Sequence, residues 1–448
     1  MEKEVTNKII IVGGGFGGVR AALDLAKNKL PSTKIILISD KPHFEYHASL
    51  YRVVTGRSPL EVCIPLSEIF KSKDVEVVED TITEVDLKRR KLVGNSSSHY
   101  TFDYLVLALG SETSYFDLPG FKKYAFGFKS ITDALALKRH MHEMFSSCIL
   151  ATDKEKECSL KFVIVGGGAT GVELSGELAI YTKTLAKKHQ LDPKLITIDL
   201  IQGSDRLLPS FSPQISQEVK LRLEELGVHV WLNKRVMKED IETVYLKDMQ
   251  MKTKTVIWTA GVVPNHLYKD IRGLTFDEKG KVIVDVFLHP VSSRPSPAMA
   301  GCVEGSRSTE SDSGGSSTTP STSSGSARND NVENVFVIGD AAATPYSGMA
   351  QTAVHQGSYV VDSIVKKILG VEPLKYRPKK PFYAVPVGEN WGLFLSNSIN
   401  VYGIIASWFR RLTDLQFFLS ILPFYKAIAA YRSDGVLWES CPICSTTD

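Results

Sequence analysis

The 448-residue sequence predicts an α/β protein with two Rossmann-like domains and a distinct C-terminal region. The main observation is a glycine fingerprint that follows a short apolar strand at Gly13 and again at Gly166. The two copies are 153 residues apart, which is about one domain length, so we assign them to separate lobes. The second observation is a tail, residues 373–448, in which apolar residues recur at helical spacing.

Each fingerprint has the form G-x-G-x-x-G and opens a helical pattern. The first glycine makes a tight turn, the second lets the backbone approach a pyrophosphate, and the third lets the helix pack on the strand. The helix N-terminus then attracts the phosphates. Two copies predict two dinucleotides that exchange electrons; the alternative is a pair of glycine-rich turns without ligands. The candidate residues are Gly13, Gly15, Phe16, Gly17 and Gly18, and then Gly166, Gly168, Ala169, Thr170 and Gly171.

Hydrophobic patterning predicts the elements of the first lobe, which are strands over 8–12, 34–38 and 103–110 and helices over 17–29 and 131–145. In such a lobe, a carboxylate after the second strand accepts a hydrogen bond from a ribose hydroxyl. Ser39, Asp40 and Lys41 occupy that position. A surface aspartate at a turn is the alternative interpretation of Asp40.

The second lobe is predicted to contain strands over 161–165, 195–201, 228–232 and 255–259 and a helix over 170–188. Residues 280–288 are predicted to form a strand that returns to the first lobe. A strand at 335–340 and a helix over 350–369 follow an insertion, residues 291–330. That insertion is rich in Ser, Thr, Gly and Pro and is therefore expected to be disordered. The predicted domains are 1–145, 146–270, 271–372, which completes the first lobe, and 373–448.

Composition excludes several classes of protein. A net charge of +3 gives no reason to expect nucleic acid as a partner, and the six cysteines do not form a secreted disulfide framework. The N-terminus has no apolar segment typical of a signal peptide, and no apolar run is long enough to span a bilayer. Cys441 and Cys444 supply only two ligands, so no metal site is predicted.

The order of the motifs resembles that of two-dinucleotide-binding-domain flavoproteins, and more closely of type II NADH dehydrogenases, the single-chain NADH:quinone oxidoreductases. Besides the fingerprints, the resemblance rests on Ala108-Leu109-Gly110, Trp258-Thr259-Ala260-Gly261-Val262, Ile338-Gly339-Asp340-Ala341 and Ala350-Gln351-Thr352-Ala353. It implies that the first lobe binds FAD and the second NADH or NADPH. The further cofactor residues that it implies are Ser39, Asp40, Lys41, Ala108, Gly110, Gln202, Ala260, Gly261, Gly339, Asp340 and Ala350.

The second lobe departs from the family pattern at one position. The family often places glutamate at the end of the second strand, where it accepts from the ribose 2′-hydroxyl of NADH. This chain has Gln202, and Arg206 is nearby. Because a neutral amide does not repel a 2′-phosphate, weakened discrimination between NADH and NADPH is expected.

The resemblance also implies the catalytic residues Glu173, Gln351 and His355. A glutamate at the position of Glu173 lies near the flavin–nicotinamide contact and can handle protons, although a first-turn glutamate also complements the helix dipole. The family places glutamine where this chain has His355, one helical turn after Gln351. We hypothesise that His355 binds a quinone and passes it a proton; a hydrogen-bonded structural histidine is the alternative.

Two rival functions are also compatible with the sequence. A disulfide reductase or a sulfide:quinone oxidoreductase needs thiolates beside the flavin. The first lobe lacks a Cys-x4-Cys pair, and its early cysteine, Cys63, stands alone. The stretch from Ser39 to Phe44 nevertheless looks somewhat like the sulfide enzymes. A slow NADH-sensing flavoprotein that signals through its serine-rich insertion is the other alternative.

The tail is predicted to bind a membrane surface. Apolar stripes run from Val401 to Leu412 and from Leu415 to Leu422, with basic residues such as Arg410, Arg411 and Lys426 beside them. Amphipathic helices of this kind lie in the membrane interface and favour anionic lipid. The expected location is therefore peripheral, on the cytoplasmic face of the membrane. The alternative is that the stripes pack on the protein's own core or in a homodimer.

Overall fold

The structure, a computed structural model, describes residues 6–292, 333–396 and 399–432. Most of the predicted insertion and the Cys441–Cys444 pair lie outside these residues. The strands that precede the second lobe are β1 (Asn7–Val12), β2 (Thr33–Ser39), β3 (His43–Glu45), β4 (Cys63–Pro65), β5 (Glu76–Glu79), β6 (Ile82–Asp86), β7 (Lys91–Gly94), β8 (His99–Thr101), β9 (Tyr104–Leu107) and β10 (Ser111–Thr113).

The remaining strands belong to the second lobe, to the return into the first sheet and to the tail. They are β11 (Phe126–Gly127), β12 (Lys161–Val165), β13 (Thr197–Ile201), β14 (Val228–Trp231), β15 (Val236–Asp240), β16 (Thr243–Leu246), β17 (Gln250–Lys252), β18 (Thr255–Trp258), β19 (Val262–Pro264), β20 (Val335–Val337), β21 (Tyr383–Pro386), β22 (Gly392–Leu395) and β23 (Asn400–Gly403).

Helices cover both sheets, and two more lie in the described part of the tail. They are α1 (Phe16–Asn28), α2 (Leu50–Val54), α3 (Leu66–Ile69), α4 (Phe121–Tyr124), α5 (Ile131–Ser147), α6 (Asp153–Ser159), α7 (Ala169–Lys188), α8 (Pro213–Leu226), α9 (Leu267–Asp270), α10 (Ala350–Ile368), α11 (Ile404–Ile421) and α12 (Phe424–Arg432).

The first lobe is built on a parallel sheet in the order β20-β9-β1-β2-β5. Alternate residues of β1 enter two different cores because strand side chains point to opposite faces. Ile9 and Ile11 join a core with residues of α1, α10 and α11, whereas Ile10 and Val12 join one with the β6–β8 meander and α9. With both faces covered, the last four residues of β1, residues 9–12, are all apolar and buried.

The second lobe repeats this plan. Its parallel sheet has the order β11-β18-β12-β13-β14, and a second meander, β15–β17, covers one face. Phe162 and Ile164 pack towards α5 and α7, whereas Val163 and Val165 pack towards the meander and Trp258. In both lobes the glycine turn follows the carboxyl end of a central strand, where ligands of open α/β sheets bind. The structure therefore confirms the predicted fold class of two Rossmann-like domains.

The predicted strand over 280–288 is wrong. Among the described residues this segment makes only isolated bridges, of which one joins Val282 to Ala342 and another joins Val284 to Pro290. The side chain of Asp285 accepts hydrogen bonds from the backbone N–H groups of Phe287 and His289 at 2.8 and 2.9 Å. These bonds bend the chain back on itself, because an aspartate can close a turn with its own following backbone.

Other predicted strands are shorter than expected; the one predicted at 335–340 ends at Val337, where a 3₁₀ turn follows. Two further strands differ as follows. The strand predicted over 103–110 is Tyr104–Leu107, since Ala108 already begins the turn that faces the first fingerprint. The strand predicted over 195–201 starts at Thr197, because Pro193–Leu195 forms a 3₁₀ turn capped by Asp192. Both differences lie at strand ends, where sequence patterns are least informative.

The tail packs on both lobes. Val385 and Leu393, from β21 and β22, belong to the core of the second lobe, whereas Phe418 and Ile421 of α11 belong to a core of the first. The other face of α11 is exposed and apolar. The exposed residues there and at the start of α12 are Ile404, Ile405, Trp408, Phe409, Leu412, Leu419, Phe424 and Tyr425. Within the described residues, no helix is long and apolar enough to cross a membrane.

A buried acid in the second meander makes stability depend on pH. Glu239 is 3% exposed, its Oε2 has no hydrogen-bond partner among the described residues, and burial raises its pKa to about 8. Because the folded protein then holds this proton more tightly than the unfolded chain, stability falls as pH rises from about 4.5 to about 8. The loss is up to about 5 kcal/mol, at about 1.4 kcal/mol per pKa unit.

Glu239→Met is therefore expected to stabilise the protein increasingly as pH rises from 5 to 8. Glu242→Met is the matched control, since Glu242 is exposed on the same meander. Thermal melting of both variants and the unmodified protein across this pH range checks the prediction. An equal effect of the two substitutions, or a Glu239→Met effect that does not grow with pH, would contradict it.

Candidate functional site

A cavity of about 1980 Å³ is lined by residues of both lobes and of the tail. The first glycine turn, the start of α7 and the first half of α10 meet along its walls. The predicted site residues that line it are Gly13, Gly15, Phe16, Gly17, Ser39, Asp40, Lys41, Ala108, Gly110, Ala169, Thr170, Glu173, Gly261, Gly339, Asp340, Ala350, Gln351 and His355. Those that do not line it are Gly18, Gly166, Gly168, Gly171, Gln202 and Ala260.

The first glycine turn has the geometry that a bound pyrophosphate requires. Gly13 has a φ of +116°, and a Cβ there would lie 2.3 Å from the Ala108 carbonyl oxygen. A Cβ on Gly18 would lie 1.9 Å from the Gly13 carbonyl oxygen, so this glycine permits the close packing of helix on strand. A Cβ on Gly15 meets nothing within 4 Å. The N-terminus of α1 therefore stands open, and its first turn holds no acidic residue.

The second glycine turn repeats this geometry. Gly166 has a φ of +117° and packs against the backbone of Ala260, and a Cβ on Gly171 would lie 1.9 Å from the Gly166 carbonyl oxygen. Gly168 caps α7 in an extended conformation, with nothing within 4 Å of an added Cβ. No acidic residue lies in the first turn of α7. Both turns can thus receive a pyrophosphate without steric or electrostatic conflict.

Gln202 lies directly beside the second turn. Its Oε1 accepts a hydrogen bond from the Gly167 N–H at 2.9 Å, and its Nε2 donates to Ser204 Oγ at 2.6 Å and to the Arg206 carbonyl at 3.3 Å. The amide therefore has defined orientation, with both donor positions used inside the protein. Its position at the end of β13 is the position that contacts a ribose in this type of lobe.

Asp340 lies at the end of the first sheet. Its Oδ2 accepts from Ser111 Oγ at 2.6 Å, and Lys129 Nζ lies 3.6 Å from the same oxygen. The other carboxylate oxygen makes no hydrogen bond to any described residue and belongs to the cavity wall. A carboxylate oxygen in this position can accept hydrogen bonds from ligand hydroxyl groups. Lys129 adds a positive charge at the same wall.

Glu173 lies on α7 and faces the cavity. Burial raises its pKa to about 8; the charge of Arg410 opposes this effect and that of Asp414 adds to it. At neutral pH the carboxyl group therefore holds a proton that it can release. A perturbed acid in a cleft is typical of a functional site, so this position fits proton handling better than a simple helix-dipole role.

Gln351 and His355 lie on the same face of α10, as predicted, and both contact the segment before β21. Gln351 exchanges two hydrogen bonds with the backbone of Phe382, at 3.0 and 3.3 Å. His355 contacts the Arg377 carbonyl through Nε2 at 3.0 Å, and its ring lies 5.4 Å from that of Tyr376. Both side chains hold α10 against the tail, and both also line the cavity.

The structure adds two groups of residues to the predicted site. One is a cluster around Glu45 in β3, with His43 and His47 on either side of it. The other is the inner face of α11, where Arg410, Thr413, Gln416, Phe417 and Ser420 line the cavity. The alternation of His43, Glu45 and His47 is visible in the sequence and could have identified the first group. No local sequence signal places α11 at the site.

None of the described cysteines lines the cavity. Cys63 and Cys148 are buried in cores, and burial raises the pKa values of the Cys148 and Cys158 thiols. A raised pKa disfavours the thiolate, which is the reactive form. The described part of the chain therefore offers no thiolate beside the first glycine turn.

Two turns for dinucleotides that border one cavity define the class of two-domain nucleotide-dependent flavoproteins. Residues 7–294 match the model of the family described as pyridine nucleotide-disulphide oxidoreductase. The chain belongs to this family.

The sequence is also similar to two type II NADH:quinone oxidoreductases of Mycobacterium tuberculosis. It is 29% identical to Ndh over 394 residues, which cover 84% of this chain and 76% of that protein. It is 28% identical to NdhA over 451 residues, which cover 96% of this chain and 87% of that protein. The resemblance predicted from the motifs is confirmed by these relatives.

Solved structures share the fold. That of NDH2 from Plasmodium falciparum in complex with NADH has a TM-score of 0.78 at 18% identity, over 98% of this chain and 99% of that one. The sulfide:quinone oxidoreductase of Aquifex aeolicus has a TM-score of 0.71 at 17% identity, over 95% and 93% of the two chains. At these identities the likeness concerns the fold alone.

Proposed function

We propose that this protein is an FAD-dependent oxidoreductase that transfers electrons from NADH or NADPH to a quinone. The observation that carries the proposal is that a single cavity borders both dinucleotide turns and the α10 residues Gln351 and His355. FAD would lie across the first turn with its ribityl hydroxyls at Asp340. The nicotinamide nucleotide would lie across the second turn and Gln202. FAD, when bound, supplies the hydride-accepting and electron-donating chemistry.

The residues of this chain would bind, orient and protonate the reactants. The helix N-termini at Gly15 and Gly168 hold the two pyrophosphates. Glu173, which is protonated at neutral pH, would exchange a proton near the meeting point of nicotinamide and flavin. Gln351 and His355 would form one wall of the quinone site.

The choice of a quinone over a sulfur compound rests on the cysteines and the relatives. Sulfide and disulfide chemistry needs a thiolate beside the flavin, and no described cysteine lines the cavity. The test is steady-state NADH oxidation by the purified protein with a soluble quinone, a disulfide or sulfide plus quinone. Rapid turnover with quinone alone is expected. Turnover that requires the disulfide or sulfide would contradict the proposal.

Gln202 makes the nucleotide preference of this chain testable. Gln202→Glu would keep the acceptor for the Gly167 N–H but add a negative charge where a 2′-phosphate would lie. The NADPH-to-NADH ratio of kcat/KM is therefore expected to fall roughly tenfold, or about 1.4 kcal/mol. Gln190→Glu, on an exposed loop, is the control. An unchanged ratio in the Gln202 variant would show that this side chain does not discriminate.

We further propose that the exposed face of α11 lies on an anionic membrane surface at the cytoplasmic side. Trp408 is 68% exposed, and Ile404, Ile405 and Leu412 are each more than half exposed on the same helix. A lipid-soluble quinone would reach the cavity from this side, since the inner face of α11 forms part of its wall. Dimerisation through the same face is the alternative.

Two basic residues assigned to this lipid face from the sequence do not lie on it. Arg410 is 5% exposed and pairs with Asp414, and the Nζ atom of Lys426 pairs with Glu68. Deletion of the chain after about residue 390 would remove residues that belong to the cores of both lobes, such as Leu393 and Phe418. Point substitutions are therefore a better test of membrane binding than a truncation.

The double variant Trp408→Glu/Leu412→Glu is expected to lower binding to vesicles of anionic phospholipid about tenfold or more, because apolar area is replaced by negative charge. Ile241→Glu, on the exposed meander of the second lobe, is the control. Vesicle co-sedimentation measures binding, and sedimentation velocity measures the oligomeric state. Undiminished vesicle binding, or a dimer that dissociates in the double variant without any lipid binding, would contradict the membrane proposal.

A further inference from the structure

Glu45 is a buried carboxylate at the cavity wall, within hydrogen-bonding distance of four donor groups. It accepts from Lys41 Nζ at 2.7 Å, His47 Nε2 at 3.1 Å and the Ile131 backbone N–H at 3.3 Å, and His43 Nε2 lies 3.3 Å away. The residue is 6% exposed. A carboxylate with this many donors is fixed in position.

Glu45 stays ionised. Burial alone would raise its pKa, but the hydrogen bonds from His43 and His47 and the charge of Lys41 outweigh burial and hold the pKa well below its usual range. The carboxylate therefore does not supply a proton to a reaction at neutral pH. It can instead hold a neighbouring imidazole in one tautomer and stabilise its protonated form.

His47 is the neighbour that reaches the cavity. Its side chain is 39% exposed and lines the cavity, whereas His43 is buried beside Glu45. Because Nε2 of His47 donates to an ionised carboxylate, its other ring nitrogen, Nδ1, is the atom through which the ring can exchange a proton with a bound molecule: it accepts in the neutral ring and donates in the protonated ring. That nitrogen makes no hydrogen bond to any described residue. Glu45 and His47 thus form a carboxylate–imidazole pair in which Nδ1 of His47 is available to a molecule bound in the cavity.

The neighbours of His47 place it on the proposed quinone side of the cavity. Tyr46 donates a hydrogen bond from its hydroxyl to Asp414 of α11 at 2.5 Å, and the Ala48 carbonyl accepts from Arg410 of the same helix. His47 is therefore held between two residues bonded to α11. The opposite face of α11 is the exposed apolar face from which a lipid-soluble quinone would enter.

We propose that His47, positioned by Glu45, donates a proton to the quinone during its reduction. This inference rests on the proposed function. Reduction of a quinone to a quinol consumes two electrons and two protons. A hydride equivalent that originates from NADH brings both electrons and one proton to one end of the quinone. His47 gives the second proton to a quinone oxygen, becomes neutral and regains a proton from water at the exposed side of its ring.

His355 and Glu173, the two proton donors expected from the sequence, make other contacts. His355 contacts a backbone carbonyl through Nε2 and packs on Tyr376, so it is held as part of the α10–tail contact. Glu173 lies on α7, the helix of the nicotinamide turn, although the charges of Arg410 and Asp414 on α11 also reach it. His47 contacts Glu45 directly, and the other titratable or charged groups bonded to Glu45 or to the residues beside His47 are Lys41, His43, Tyr46, Arg410 and Asp414.

The test compares His47→Gln with His99→Gln, an exposed histidine on β8 outside the cavity. The holoenzyme is first reduced anaerobically with NADH, and its reoxidation by a soluble short-chain quinone is then followed by flavin absorbance. Reduction by NADH is expected to stay within about twofold, while reoxidation of His47→Gln slows roughly 100-fold, the contribution typical of a general acid. Imidazole added to His47→Ala is expected to restore part of the rate.

A second readout is independent of turnover. Quinone binding to the oxidised protein, followed by quenching of flavin fluorescence, is expected to be unchanged in His47→Gln. Normal reoxidation in His47→Gln would overturn the proposal, and so would slow reoxidation caused by lost quinone binding or lost flavin. If the proposed function itself is wrong, the result differs: the unmodified protein would then be reduced by NADH but not reoxidised by any quinone.

Discussion

Replacement of Gly168 by valine is expected to leave the protein folded and loaded with FAD but to raise the KM for NADH roughly 100-fold, or about 2.8 kcal/mol. In the structure a Cβ at this position meets nothing within 4 Å, and the backbone is extended, so the fold accepts a side chain. The same side chain would fill the space in front of the α7 N-terminus that a pyrophosphate needs. Steady-state kinetics with NADH measures the effect.

Gly15→Val is the matched variant, because Gly15 has the same open surroundings in the first turn. It is expected to fold with greatly weakened FAD binding, which the flavin content of the purified protein reports. The two variants together assign one nucleotide to each turn. Loss of FAD from Gly168→Val, or unchanged NADH kinetics in that variant, would contradict the assignment.

Replacement of Asp414 by alanine is expected to lower the free energy of unfolding by about 3–5 kcal/mol, the range for a broken buried ion pair. Asp414 is 1% exposed, pairs with Arg410, accepts the Tyr46 hydroxyl at 2.5 Å and lies 3.7 Å from Arg52. Without it, the buried charge of Arg410 has lost its main partner. Unfolding in denaturant, monitored by the release of flavin, measures the effect.

A surface pair on α10 provides the control. Asp362 and Lys366 have the same four-residue spacing and lie 2.8 Å apart, but the Asp362 side chain is 53% exposed. Asp362→Ala is expected to cost only about 0.3–0.5 kcal/mol. The apolar double variant Arg410→Met/Asp414→Leu should recover most of the stability that Asp414→Ala loses. Equal effects of the two aspartate substitutions would contradict a buried, essential role for the α11 pair.

The features that the sequence predicts correctly are those set by residues close together in the chain, above all the two glycine turns. A glycine turn needs a strand before it, a helix after it and three glycines between, and all of this lies within a few residues of Gly13 or Gly166. The structure places these turns as predicted and adds that the second lobe repeats the meander as well as the fingerprint. The strand over 280–288 failed because one aspartate, Asp285, competes locally with strand pairing.

The acceptor side could not be predicted in the same way. Asp414 contacts Tyr46 across 368 positions of sequence, and nothing near either residue indicates that contact. The sequence pattern therefore predicts that Arg410 flanks a lipid-facing stripe, whereas in the structure Arg410 is buried. The apolar stripes have two interpretations from the sequence, packing on the protein's own core and contact with a membrane. In the structure, one face of α11 packs on the first lobe and the other face is exposed.

The central claim is that electrons pass from NADH through FAD to a quinone within one cavity. Anaerobic stopped-flow spectroscopy tests it most directly: the protein is mixed with one equivalent of NADH and then with a soluble quinone. Rapid loss of the flavin absorbance on the first mixing and rapid, complete recovery on the second are predicted. A flavin that NADH does not reduce, or that stays reduced in the presence of quinone, would contradict the account.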